Sequence, residues 1–433
     1  MRGEATSHGV SLLAKLQPVR GTHDLLPEDS RRHAHVSGLA RDIAARYGYG
    51  EISTPIFEFT EVFQRTLGDT SDIVTKEMYT FADRGGSSLT LRPENTAGVA
   101  RALISGGLSQ NLPLKFFYNG PMFRYERPQK GRLRQFHQIG AELLGVPEPL
   151  GDIEVITLGA HVLNDIGVLG KTALELNSLG DAESRAAYRD ALVGYLSDHV
   201  DALSEESRER LARNPLRILD SKNDSDRAVI RNAPRLEDSL NEQSRAFFST
   251  VCEGLDRLGI AFTHNTHLVR GLDYYCHTAF EFTTTELGAQ GAVLAGGRYD
   301  GLVETMGGPA TPGVGWAAGL ERLAMLADTP PDAPRPVAVI PIGDDAQSVA
   351  LEVTNQLRRA GFTVDLGFRG NLSKRMKKAN QARAVAAVII GEDEIERGAA
   401  TVRDLESGDQ QEIPFDSLAG ALGAYKHANG NPS

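Results

Sequence analysis

Between Asp328 and Pro336 four of nine residues are proline: Pro330, Pro331, Pro334 and Pro336. Each proline fixes its own φ and removes a backbone donor, so the segment suits neither a helix nor a central strand and acts as a stiff spacer. The 433-residue chain is therefore expected to fold as two bodies, a larger one over residues 1–327 and a smaller one over 337–433, with 328–336 as the linker.

The two sides differ in pattern. After the linker, short apolar stretches at Val337–Ile342, Phe362–Leu366 and Val385–Ile390 alternate with amphipathic ones at Ala346–Ala360 and Leu372–Ala382. That alternation predicts a small α/β domain. Before the linker, Lys115–Glu126 and Arg134–Leu144 flank the polar turn Arg127–Leu133, and a second extended run covers His267–Thr285. These read as antiparallel strands. Helical patterns at Ser30–Tyr47, ended by Gly48, and at Gly151–Asn164 do not alternate regularly with them, so this part reads as α+β. The charged, mostly helical stretch Asp181–Pro234 is expected to be an insertion over one end of the sheet.

Composition narrows the function. With 41% hydrophobic and 24% charged residues the chain is globular. No apolar run approaches the ~20 residues of a membrane span. Met1–Gln17 lacks the basic head and apolar stretch of an export signal, and Cys252 and Cys276 are too few for a disulfide framework or a four-ligand zinc site. A cytoplasmic protein is expected. A net charge of −11 disfavours general coating of nucleic acid, so any RNA contact must be local.

Gly170-Lys171-Thr172 resembles the end of a phosphate loop, but Asp165 stands where its first glycine belongs and a strand-like stretch follows. Phosphate must be held by arginines instead. Phe123–Gln138 carries Arg124, Arg127, Lys130, Arg132 and Arg134 against one acid, Glu126. An arginine within such a strand offers a planar fork to phosphate or carboxylate. Leu91–Thr96 puts Glu94 at a strand-to-helix junction, where it either caps the helix or faces a ligand amine. Leu268–Tyr275 brings Arg270, Gly271, Tyr274 and Tyr275 onto one expected strand, and Gly313–Leu323 reads as a strand leading into a helix with Arg322 at its start. His33 and His35 are two apart on a helix, hence on different faces, and make a poor metal pair.

Together these segments resemble the histidyl-tRNA synthetases, a class II aminoacyl-tRNA synthetase family, from Pro18–Asp24 to the carboxyl-terminal domain. Gly48–Pro55, Phe123–Arg127 and Gly313–Arg322 match class II motifs 1, 2 and 3 in order. Leu268–Tyr275 and Ala295–Gly301 match the segments that set the histidyl branch apart. The resemblance implies a six-stranded antiparallel catalytic sheet with flanking helices, a carboxyl-terminal anticodon-binding α/β domain and a homodimer formed partly through motif 1. It also implies residue roles. Arg124 and Arg270 would flank the α-phosphate of ATP, and Arg322 would hold the γ-phosphate, with Mg2+ carried by ATP. Glu94, Asn95, Thr96 and Gln138 would surround the histidine amino group, although Asn95 stands where the family often has glycine. Glu142 and Tyr275 would read the imidazole, with Tyr274 lining the same pocket. Gln129 and Arg132 in the motif 2 turn would reach the tRNA acceptor stem.

The stretch Leu366–Gly391 has six basic residues and no acid, and Lys374, Lys377 and Lys378 share a helical face suited to the RNA backbone. The implied activity is ATP-dependent activation of L-histidine and its transfer to tRNA(His). The competing reading is a noncatalytic, histidine-binding regulatory subunit of histidine biosynthesis. Such proteins usually lack the anticodon domain and lose catalytic arginines. A class II synthetase for another amino acid is opposed by Arg270, Tyr274 and Tyr275.

Overall fold

The computed structural model describes residues 15–67, 73–127, 132–213, 215–221, 223–269, 272, 274–288 and 291–427. The chain divides into two compact units after Thr329, within the proline-rich stretch.

The larger unit is built on an eight-stranded sheet. Its order is Gly50–Glu51, Leu114–Phe123, Gln135–Leu144, Gly313–Gly319, Gly291–Arg298, Cys276–Thr284, Ala173–Ser178 and Thr263–His264. The six long strands run antiparallel in succession. The two outermost strands are two residues each and pair in parallel, so the expected six-stranded sheet is the centre of a larger one. The extra strands add only edge pairing that no periodicity announces.

The alternation of the central strand divides the sheet into two faces. Ile139, Ala141 and Leu143 enter a core with Ala40 and Ile43 of the helix Pro27–Arg46 and with Val155, Ile156 and Leu163 of the helix Pro149–Asp165. Both helices begin with proline at a position that needs no N–H. On the other face lie Gln138, Gly140 and Glu142. The register sets Gln138 opposite Gly120 and Gly319, and Glu142 opposite Phe116 and Gly315. Around this face Val99, Ala100 and Leu103 of the helix Thr96–Ser105 pack with Tyr118, Met122 and Tyr299.

Leu268–Tyr275 was expected within a strand, but the strand begins at Cys276. At the start of that segment, the Leu268 carbonyl accepts from the Asn177 side-chain amide at 2.9 Å rather than from a strand neighbour. The Gly170-Lys171-Thr172 turn runs into the strand Ala173–Ser178, and Lys171 Nζ is tied to the Leu326 carbonyl at 2.6 Å. That lysine is structural.

Helices Ala182–Asp198, Glu205–Arg213 and Asp224–Ile230 form the insertion around Tyr188, Leu192, Leu196, Ile218 and Val229, and its core extends to Leu240. Buried Asp226 holds it together, accepting from Ser204 N, Ser204 Oγ, Ser207 Oγ and Ser221 Oγ at 2.6–2.8 Å. Burial alone would raise this carboxyl, yet these donors outweigh it and bring it down to about 2.

The smaller unit is a five-stranded sheet ordered Val364–Leu366, Val337–Pro341, Ala386–Ile390, Ala399–Asp404 and Gln410–Pro414. Its first three strands are parallel and connected by the helices Ala346–Arg359 and Leu372–Gln381. The last two form an antiparallel extension to which the sequence pattern assigned no strands.

Candidate active site

A cleft of about 290 Å3 opens over the polar face of the central strands. Glu94, Thr96, Arg124, Arg132 and Gln138 line it, as do Tyr274, Tyr275 and Arg322. Residues more than 200 positions apart thus meet where motif 2, the tyrosine loop and motif 3 converge.

Glu94 both caps the helix and lines the cleft. Its Oε2 accepts from Thr96 N at 2.7 Å and its Oε1 from Ala97 N at 2.9 Å, capping the helix Thr96–Ser105 while the residue also lines the cleft. Burial raises its carboxyl above the ordinary glutamate value, opposed by these amides and by Arg124. Arg124 is tied back by Nε to the Pro93 carbonyl at 2.8 Å, and its guanidinium lies 5.3 Å over the Phe136 ring. Sequence neighbours of Glu94 therefore fix the orientation of Arg124.

Two polar groups of the cleft have no partner among the described residues. Gln138 Oε1 is buried without a hydrogen bond. Arg322 is half-buried and makes no hydrogen bond or salt bridge to any described residue. Burial, followed by the Arg132 cation, lowers its affinity for its proton. Gly291 leaves the space this guanidinium occupies, since a Cβ there would collide with Arg322. An unpaired guanidinium and an open acceptor in one cleft call for an anion and an N–H donor.

Glu142 lies fully buried and outside the cleft lining. Thr96 Oγ1 donates to its Oε1 at 2.6 Å and the Tyr299 hydroxyl donates to its Oε2. Burial pushes its carboxyl up to about 8, with the two hydroxyls opposing. Asn95 also lies outside the cleft lining: its Oδ1 accepts from Thr54 Oγ1 at 2.6 Å and from Arg92 at 3.2 Å, which secures the loop before the helix. Tyr274 is packed at 4.6 Å from the Tyr275 ring and 5.8 Å from that of Tyr299. Burial holds its hydroxyl well above the usual tyrosine value. Arg270 and Gln129 lie outside the described residues.

Sequence reasoning singled out the Ala295–Gly301 segment without assigning its residues. Tyr299 is the hydroxyl on Glu142. Its neighbour Arg298 is locked to Asp152, and donates to the Val146 carbonyl at 2.9 Å and to Asp300 at 3.0 Å. Glu321 was also missed. It lines the cleft beside Arg322 and accepts from His137 N at 2.9 and 3.0 Å.

In the smaller unit Lys374, Lys377 and Lys378 are exposed on the helix Leu372–Gln381. Phe368, 78% exposed, precedes that helix next to Arg369. No helix among the described residues is long and apolar enough to cross a membrane.

Comparison with known proteins agrees with this geometry. The family model described as "Histidyl-tRNA synthetase" matches residues 21–323, and "Anticodon binding domain" matches residues 336–424. The histidine–tRNA ligase of Rhodospirillum rubrum is 65% identical over 414 residues, covering 95% of this chain and 100% of that protein. The histidine–tRNA ligase of Gluconacetobacter diazotrophicus is 58% identical over 415 residues, again covering 95% of this chain and 100% of the relative. Among solved structures, apo histidyl-tRNA synthetase of S. aureus aligns with a TM-score of 0.80 at 35% identity, covering 94% of this chain and 99% of that one. The chain belongs to the histidyl-tRNA synthetase family.

Proposed function

We propose that the cleft activates L-histidine with ATP and then delivers it to the 3′ end of tRNA(His). The activity is that of a histidine–tRNA ligase, as in the relatives at 65% and 58% identity. Those relatives also favour the ligase over the regulatory-subunit reading. The observation that carries the residue assignments is the shared cleft, in which unpaired Arg322 and Gln138 accompany Arg124, Glu94 and the two tyrosines.

In the first step a histidine carboxylate oxygen attacks the α-phosphorus. The new P–O bond forms as the bond to the β-bridging oxygen breaks, and pyrophosphate leaves. Two anions must approach, so positioned cations contribute more than a general base. Arg124 would hold the carboxylate and α-phosphate, Arg322 the γ-phosphate and Arg270 the other side of the α-phosphate. Glu94, Thr96 and Gln138 would take the amino group, which matches the open Gln138 acceptor. Tyr274 and Tyr275 would enclose the imidazole, with Glu142 as the acceptor for a ring N–H. Asn95 would support this pocket from outside it.

Mg2+ would enter with ATP. Each carboxylate lining the cleft already has protein partners: Glu94 the helix amides, Glu126 the guanidinium groups of Arg124 and Arg132, Glu321 His137. This donor set fits a cation held by phosphates and water rather than by the chain, and the ion would screen the departing pyrophosphate.

In the second step Gln129 and Arg132 would lie near the acceptor end, and Lys374, Lys377 and Lys378 near the anticodon arm. The catalytic and anticodon-binding roles would divide at the 328–336 linker. A homodimer is supported by the exposed Ile56, Phe57 and Phe59 just after motif 1, which with exposed Phe81 on the strand Tyr79–Ala82 offer apolar surface to a second copy. A cytoplasmic location suits the activity. Exchange of pyrophosphate into ATP without tRNA tests the assignment: it must require histidine, and exchange independent of histidine would overturn the reading.

A further inference from the structure

His33, His137 and Glu321 come from three separate elements and meet at the edge of the cleft. One donor atom from each lies within 4.8 Å of the other two. His33 belongs to the helix Pro27–Arg46, His137 to the strand Gln135–Leu144 and Glu321 to the first turn of the helix Leu320–Leu326. The imidazole rings stand 5.7 Å apart at 77°, and His137 Nδ1 is 2.9 Å from Glu321 Oε1. Among the described residues His33 Nδ1 is buried with no hydrogen-bond partner, unlike the paired His137 nitrogen.

We propose that these three residues form a binding site for a borderline transition-metal ion of the Zn2+ class. Two imidazoles and one carboxylate are a donor set that Zn2+ accepts with a fourth position open to water. Ligand bonds of about 2.0–2.2 Å put neighbouring donors of a tetrahedron roughly 3.4 Å apart. The cluster therefore needs only small side-chain rotations to close on an ion. The scaffold supplies rigidity, because a packed helix, a central strand and a helix start carry the ligands. Mg2+ is a poor occupant, since it prefers oxygen ligands in octahedral geometry.

The test is titration of the full-length, chelator-treated protein with Co2+ in excess Mg2+, reading the visible absorption of tetrahedral Co2+ and the stoichiometry by calorimetry. One equivalent per chain is expected in the wild type and in His35→Gln, with affinity falling more than about tenfold in His33→Gln. His33→Phe, which keeps the ring volume, provides a second variant. Pyrophosphate exchange and circular dichroism confirm that each variant is folded. Undiminished Co2+ binding in both folded His33 variants, or displacement of Co2+ by Mg2+, overturns the site.

Discussion

Thr96 Oγ1 donates to Glu142 Oε1 at 2.6 Å and so joins the helix that Glu94 caps to the central strand of the sheet. The amino-group and imidazole ends of the proposed histidine pocket consequently share one hydrogen-bond network. Its acid is buried and pushed up to about 8.

The network gives a pH prediction. A ring N–H of histidine needs an unprotonated acceptor, so the histidine KM for exchange should fall as pH rises toward about 8 and then level off. Glu142→Gln should flatten that slope and lower kcat/KM for histidine by about two orders of magnitude, since it leaves a buried partner mismatched. The stability effect has a definite sign. The folded chain keeps a proton that the unfolded chain releases, so this group makes stability decline from the ordinary glutamate pKa up to about 8. A histidine KM independent of pH in the wild type would remove Glu142 from imidazole recognition.

Arg322→Ala should cost about 3–4 kcal/mol of transition-state stabilisation, or two to three orders of magnitude in exchange. Calorimetric binding of histidine alone should be unchanged, because Arg322 is assigned to the nucleotide. Equal loss of both would mean that the variant disturbs the whole cleft.

Replacing Lys374, Lys377 and Lys378 together by alanine should weaken tRNA charging and reduce its dependence on salt while leaving pyrophosphate exchange intact. Phe368→Ala should weaken charging with no change in salt slope, because an exposed ring acts on bases by stacking, worth about 1–3 kcal/mol per base. Identical salt slopes for the lysine variant and the wild type would exclude those lysines from the RNA surface.

Asp226→Ala should destabilise the insertion by about 2–3 kcal/mol, since it orphans the donors of Ser204, Ser207 and Ser221. Because the folded carboxyl is depressed to about 2, its contribution is present above the ordinary aspartate value and lost on acidification toward 2. Hydrogen exchange should show faster opening of the helices 182–230 at neutral pH, with the central sheet unaffected.

The linker, the α+β and α/β halves and the cleft arginines were legible because proline, periodicity and charge act locally. Glu94, Thr96, Arg124, Gln138 and Arg322 were found through short motifs around each of them. Other features depend on distant contacts. Leu268–Tyr275 looked like strand, but the strand begins at Cys276, and the Leu268 carbonyl is taken by the Asn177 amide about 90 positions away. Asn95 sits in motif order beside Glu94, yet its carbonyl is used by Thr54 and Arg92. His33 and His35 were set aside as a metal pair because they lie on different helix faces, and the residues that do approach His33, His137 and Glu321, lie 104 and 288 positions further on.

Gly315 stands opposite Glu142 in the sheet, and a Cβ there would collide with Glu142 Oε2. This buried acid, proposed to read the imidazole, therefore occupies the volume of a side chain that position 315 does not have. Redesigning the enzyme for a different amino acid cannot proceed by exchanging Glu142 alone: a smaller residue leaves a void against a bare backbone, and refilling that void from 315 requires both positions to change at once.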